Sequence, residues 1–171
     1  MKHMLGRASA ALVLLAVGAA GSAQTCLPNI PATAPDSRFT DNGNGTVTDA
    51  AIGLMWKQCA EGLSGAGCAS GSAVLLTWQQ ALQRGTDAEF AGFSDWRLPN
   101  KNELASLVEQ RCFDPAIDLG LFPSTPSTWF WSSSPNAYNP DGAWGADFGG
   151  GYVDLNPKYY AGPVRLVRGG Q

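Results

Sequence analysis

The sequence predicts an α+β fold in which two helices pack on short antiparallel sheets and disulfides staple the whole. Three observations carry this. Asn100 followed by Glu103 has the spacing of a helix-starting capping box, with Leu104, Leu107 and Val108 on one face of the helix that follows. Short apolar and aromatic runs separated by Gly, Pro and Asn clusters read as strands and turns. Four cysteines follow an apolar N-terminal leader, which places them in an oxidising compartment as two disulfides.

Residues Met1 to Ala23 read as a secretory signal. Lys2 and Arg7 give the basic start, Ala10 to Ala20 the apolar stretch, and Gly21-Ser22-Ala23 a small-residue cleavage site. The apolar stretch is shorter than the ~20 residues of a membrane helix, so no membrane insertion is expected. Gln24 and Thr25 ahead of Cys26 do not suit a lipoprotein signal. The expected product is secreted or periplasmic. Removing 23 of 171 residues leaves 148, enough for one domain with a real core.

Gln24 to Ser37 is a lead-in holding Pro28, Pro31 and Pro35, ordered only if Cys26 is bridged; residues 38–171 form the expected single domain. Arg38 to Thr48 is a hairpin turning at Asp41-Asn42-Gly43-Asn44-Gly45, residues that tolerate positive φ. Ile52 to Lys57 is a strand. Thr77 caps a short helix over Trp78 to Arg84, and the second helix is expected from Lys101 to about Gln110. Trp129 to Trp131 is an apolar strand. Ala143 to Phe148 and Tyr152 to Leu155 pair across Gly149-Gly150-Gly151, and Val164 to Val167 closes the sheet.

The four cysteines allow three pairings. Cys59 and Cys68 flank a Gly/Ser-rich loop, so they are paired, leaving Cys26 with Cys112. Loop closure gives roughly 2.5–3 kcal/mol for the short bridge and about 4.5 kcal/mol for the long one. A four-thiolate zinc site is disfavoured because no C-x-x-C pair is present.

Charge and composition exclude several functions. The formal net charge is −3, and loss of Lys2 and Arg7 with the leader makes it −5. No basic surface for nucleic acid is expected. The only histidine, His3, lies in the leader. The remaining chain therefore lacks His general acid/base catalysis, Ser-His or Cys-His nucleophiles and His-bound zinc. Catalysis is left with carboxylate pairs, as in a glycoside hydrolase, or with Ser132-Ser133-Ser134 and a lysine. The expectation is no enzyme.

Phe93 to Glu103, Phe39 to Val47, Gly53-Leu54-Met55-Trp56, Phe130-Trp131-Ser132-Ser133-Ser134 and Val164-Arg165-Leu166-Val167-Arg168 together resemble the C-terminal domain family of the Legionella collagen-like adhesin. The blocks run in the family's order from about Arg38 to Arg168. The resemblance implies a C-type-lectin-like fold, and Arg97-Leu98-Pro99 with Glu103 is also similar to the formylglycine-generating enzymes. Those enzymes need reactive cysteines late in the chain, and none follows Cys112 here. No Gly-X-Y tract is present, so trimerisation through a collagen stalk is not carried over.

Three segments are candidate sites. Asn139-Pro140-Asp141 with Asp154 offers hard oxygen ligands to calcium, the one cofactor considered, as lectins similar in fold do; the triplet is also an ordinary turn, and Tyr152-Val153-Asp154 replaces their Trp-Asn-Asp. Asp41 to Gly45 with Asp49 resembles a calcium loop, but Gly43 and Gly45 stand where ligands are needed, so a tight turn is expected. The third is Lys158, Tyr159, Tyr160, Arg165 and Arg168. The resemblance implies sulfated-glycan binding there. Tyr138, and Trp144 just ahead of the Gly-rich hairpin, are further candidate ligand-binding residues. Arg165 and Arg168 point to opposite faces of a regular strand, so one patch does not use both. Trp56, Trp78 and Trp96 read as core, and Asp95 as a loop tie. The expected partner is an extracellular or envelope polysaccharide in an adhesin-like role. The alternative is a protein partner contacting Ala137 to Asp141 and Asn156 to Gly162.

Overall fold

The computed structural model describes residues 23–169, so the leader reading lies outside it apart from Ala23. In chain order the strands and helices begin with β1 (Thr25–Cys26), β2 (Phe39–Asp41), β3 (Thr46–Asp49), β4 (Leu54–Lys57), β5 (Leu63–Ser64), β6 (Ser70–Gly71) and α1 (Trp78–Thr86). They continue with α2 (Lys101–Ala105), β7 (Cys112–Phe113), β8 (Trp129–Pro135), β9 (Gly142–Asp147), β10 (Tyr152–Pro157) and β11 (Val167–Gly169). The fold is α+β with few helices and short antiparallel sheets. One sheet has the order β11-β4-β3-β2 and another β10-β9-β8, while β1 pairs with β7 and β5 with β6.

The first hairpin forms because its turn closes on its own side chains. Asp41 Oδ1 accepts from Gly43 N–H, Asn44 Oδ1 accepts from Thr46 N–H, and Gly43 and Gly45 take positive φ. This is the tight turn the residues predict. After β3 the chain turns through Ile52, so the strand expected from Ile52 begins at Leu54 instead. The closing strand is also displaced. The carbonyls of Val164 and Leu166 accept from Glu61 and Lys57 N–H, but regular pairing starts only at Val167.

Both helices carry capping boxes. In α1, Thr77 and Gln80 exchange side chain-to-backbone hydrogen bonds, and the helix runs two residues past the expected Arg84. In α2, Asn100 Oδ1 accepts from Asn102 and Glu103 N–H, and Glu103 returns a carboxylate to Asn100 N–H. The expected extension of α2 to Gln110 does not occur. Leu107 and Val108 enter the core through tight turns, and Glu109 N–H leaves the helix to bond Ala116 O. The buried Glu109 carboxylate accepts from Thr33, Ala34 and Arg111 N–H. Tertiary bonds to the lead-in override the helical periodicity.

The lead-in is ordered by the Cys26–Cys112 disulfide and by Gln24 Nε2 donating to Pro115 O and Ile117 O. Cys59–Cys68 closes the second loop. Adjacent β8 residues divide the core. Phe130 joins Val47, Trp56, Leu104, Ile117 and Phe148 on one face, and Trp131 joins Trp96, Leu98, Val164 and Leu166 on the other. Strand β8 is thus covered on both sides, while β10 at the sheet edge is exposed. The β9–β10 end of the sheet projects the loops that matter for function.

Candidate functional site

Most cations are occupied in holding the fold. Arg38 pairs with Asp49, Lys57 and Arg84 with Glu61, Arg97 with Glu103, Arg111 with Glu109, and Arg168 with Asp95. The Arg168 hydrogen bond holds the Asp95 carboxyl below its usual range, with a smaller opposing desolvation. Burial is the largest single influence on Glu103 and pushes it up; Arg97 and the Asn100 N–H together outweigh it and leave its carboxyl lowered.

Arg165 is fully buried. Its guanidinium donates to Lys57 O at 3.0 Å, to Gln58 O and to Thr125 Oγ1 at 2.6 Å, and lies over the Phe122 ring at 4.9 Å. Burial pushes its pKa down to about 9, with Glu61 opposing, so it stays charged at neutral pH. The expectation that Arg165 contacts ligand is corrected here, since no part of its side chain reaches solvent. Arg168 is held by Asp95 and lies 3.7 Å over the Phe93 ring, away from Lys158 in the contacts it makes.

Besides Arg165, two cations have no carboxylate partner among the described residues, and each rests on an indole. Lys101 Nζ lies 4.7 Å from the Trp144 centroid, and Lys158 Nζ lies 4.3 Å from that of Trp78. The Lys158 pair stands where three segments meet. Lys158 N–H donates to Asp141 O at 2.8 Å, its Nζ to Pro140 O at 2.7 Å, and its carbonyl accepts from Trp78 N–H at 3.0 Å. These bonds fix the loop after β10 to the loop before β9 and to the N-terminus of α1. Gly162 then bridges to Leu76, and Trp129 packs so closely there that a Cβ on Gly162 would lie 2.3 Å from the indole.

The clamped loops present aromatic surface. Tyr138 is 98% exposed and Tyr159 72% exposed. Tyr159 and Tyr160 meet edge-on with centroids 4.9 Å apart. Tyr160, by charge and hydrogen bond, raises the Tyr159 pKa, so the hydroxyl remains a donor at neutral pH. A groove of about 490 Å³ is lined by Thr77, Trp78, Gln79, Lys158 and Tyr159. It offers aromatic faces, a hydroxyl, an amide and one cation already anchored by its neighbours. That set suits hydroxyl-rich ligands with apolar faces better than it suits chemistry.

The calcium residues are not drawn together. Asn136 Oδ1 accepts from Tyr138 and Asn139 N–H, and Asn139 Oδ1 accepts from Asp141 N–H, which makes the segment a turn bonded to itself. Asp154 pairs in register with Gly145, whereas Asp141 adjoins the Gly142–Pro157 pair, three residues along the sheet or about 10 Å away. Among the described residues no group of three His, Cys, Asp or Glu could hold a metal ion. Trp144 sits beside Leu155 in register, under Lys101 and separate from the Lys158 groove.

Trp78 packs against the Trp96–Trp131 half of the core, as its sequence position predicts, and has a second role that the sequence does not show. Its indole N–H does donate inward to Ser132 O, yet the ring also lines the groove beneath Lys158. Its position directly after the Thr77 cap was the available signal, because the first turn of a helix leaves one side uncovered. Lys101 was missed for want of any motif.

No curated protein matches the chain. Residues 45–168 match the family model described as the Lcl C-terminal domain. The match begins inside the first hairpin and ends in β11, so it includes the groove, Lys158 and both loops that Lys158 joins. The chain belongs to the Lcl C-terminal domain family, which is associated with adhesins.

Proposed function

We propose that the chain is an exported, non-catalytic binding domain for extracellular or envelope polysaccharide, which it grips at the Lys158 groove. The observation that carries this is the convergence of Lys158, Tyr159 and the α1 residue Trp78 on one groove, fixed by the Lys158 hydrogen bonds to the loop that exposes Tyr138. Sugar rings stack their C–H faces on tyrosine and indole, while hydroxyls or a sulfate accept from the Lys158 ammonium, which keeps donors free beyond Pro140 O. The C-type-lectin-like resemblance and the family's link to adhesins both support a glycan partner. The reading needs no metal.

The test is binding of the oxidised chain to sulfated and neutral polysaccharides, with and without calcium, at low and physiological salt. Tyr159→Ala and Lys158→Ala should each weaken binding about tenfold, equivalent to ~1.4 kcal/mol. A sulfated ligand adds a loss of affinity with salt as the Lys158 charge is screened. Unchanged affinity in both variants removes the glycan reading from this groove. Capture of a single protein partner with little salt dependence, and of no glycan, overturns it in favour of a protein-interaction module.

A further inference from the structure

A second pocket lies away from the Lys158 groove, between the β3–β4 end of the large sheet and the loop closed by Cys59–Cys68. Its volume is about 260 Å³, room for roughly nine waters at ~30 Å³ each. Phe90, Leu63 and the Cys59 side of the disulfide supply apolar wall, and Asn44, Gln58 and Ser64 supply polar groups. The wall is fixed at close quarters. Gly45, at φ +81°, brings its backbone so near that a Cβ there would lie 2.9 Å from Phe90 Cζ. Gln58 N–H donates to Gly45 O at 2.9 Å, which joins the two sides of the pocket.

The polar groups are partly committed in a way that leaves both a donor and an acceptor. Asn44 uses Oδ1 to accept from Thr46, and Gln58 uses Nε2 to donate to Asp41. Among the described residues Asn44 Nδ2, Gln58 Oε1 and the Ser64 hydroxyl make no such bond. The one charge at the pocket, the Lys57 ammonium, is already paired with Glu61 and lies 4.6 Å over the Phe90 ring. An anionic ligand would find no free counter-charge, and a cation would meet Lys57. A compact neutral ligand with an apolar body and a rim of donors and acceptors fits.

We propose that this pocket binds a single neutral sugar residue, with its ring against Phe90 and Leu63 and its hydroxyls on Asn44, Gln58 and Ser64. The site shares no residue with the Lys158 groove, so it stands whether or not the polymer binds there.

The experiment is a ¹H–¹⁵N NMR titration of the oxidised chain with neutral hexoses and N-acetylhexosamines into the millimolar range expected of so small a ligand. Saturable shifts confined to Asn44–Gly45, Gln58 and Ser64–Gly65 are expected with at least one sugar. Gln58→Ala, a surface truncation, should weaken that binding at least fivefold, as should Asn44→Ala, while Tyr159→Ala leaves it unchanged. No saturable shift with any sugar, shifts at Tyr159 and Lys158 instead, or undiminished binding in both pocket variants would overturn the proposal. A spectrum showing either variant still folded keeps the test decisive.

Discussion

Replacing Arg165 with alanine should destabilise the fold by about 3–5 kcal/mol, the range for removing one partner from a buried charged network. The magnitude follows from what the guanidinium leaves behind. Two main-chain carbonyls, those of Lys57 and Gln58, and the Thr125 hydroxyl each lose a donor. Each orphaned buried group costs about 1 kcal/mol or more, and Thr125 retains its own bond to Phe122 O. The void beside Phe122 and the loss of a longer-range attraction to Glu61, which keeps Lys57 and Arg84, add to this. At about 2–4 °C per kcal/mol for a domain of this size, the melting temperature should fall by roughly 6–20 °C. Arg165→Met keeps the volume and should cost less, about 2–3 kcal/mol, because only the hydrogen bonds go. Tryptophan fluorescence during urea unfolding at pH 7 reads both. Arg168→Ala, which breaks a partly exposed pair, is the control and should cost under about 1 kcal/mol. If Arg165→Ala lost less than about 1 kcal/mol, the guanidinium would not be holding the Lys57–Gln58 and Phe122–Thr125 segments together, and its role would not be structural.

Three further outcomes follow from the geometry. Gly162→Ala should destabilise by about 1–3 kcal/mol through overpacking against Trp129, and should weaken polysaccharide binding by loosening the Lys158 loop; urea unfolding and the glycan assay measure the two effects. Asp118 is raised mainly by burial and then by its hydrogen bond and charge contact with Asp36. A raised carboxyl contributes stability that is fully present below its unfolded pKa and lost as pH rises through the folded value, so Asp36→Asn should raise the melting temperature at pH 7 and change it little at pH 3. An unchanged difference between the two pH values would refute that pairing. Replacing Cys26 and Cys112 together by serine should cost about 4.5 kcal/mol, against roughly 2.5–3 for Cys59 and Cys68, as measured by chemical unfolding.

The local features of the fold were readable because each is decided by neighbours in sequence. Asn100 with Glu103, Thr77 ahead of Trp78 and the Asp41–Gly45 turn bond to groups within a few residues, and the structure keeps all three. Apart from the Cys26–Cys112 bridge, the elements decided by long-range contacts depart from what the sequence predicts. Nothing in Leu107-Val108-Glu109 announces that Glu109 will bind Thr33 and Ala34, so the helix was drawn too long. Val164-Arg165-Leu166 alternates like a half-exposed strand, yet the Phe122–Thr125 segment covers the face on which Arg165 lies. The Lys158 region was legible as residue types alone. Its meeting with Trp78 depends on α1 packing beside β8, which no spacing records.

The Cys26–Cys112 bond also has a mechanical meaning. Tension applied to the chain ahead of Thr25 passes through two sulfurs to Cys112, 86 positions on in sequence, and skips everything between them. The hairpin, the small pocket and both helices are therefore bypassed by the pull, and the short β1–β7 ladder is not asked to resist it. The load instead enters the half of the chain that carries Tyr138 and Lys158. A tether attached at that end would load the Lys158–Tyr159 wall of the groove, while its Trp78 wall on α1 lies in the bypassed stretch.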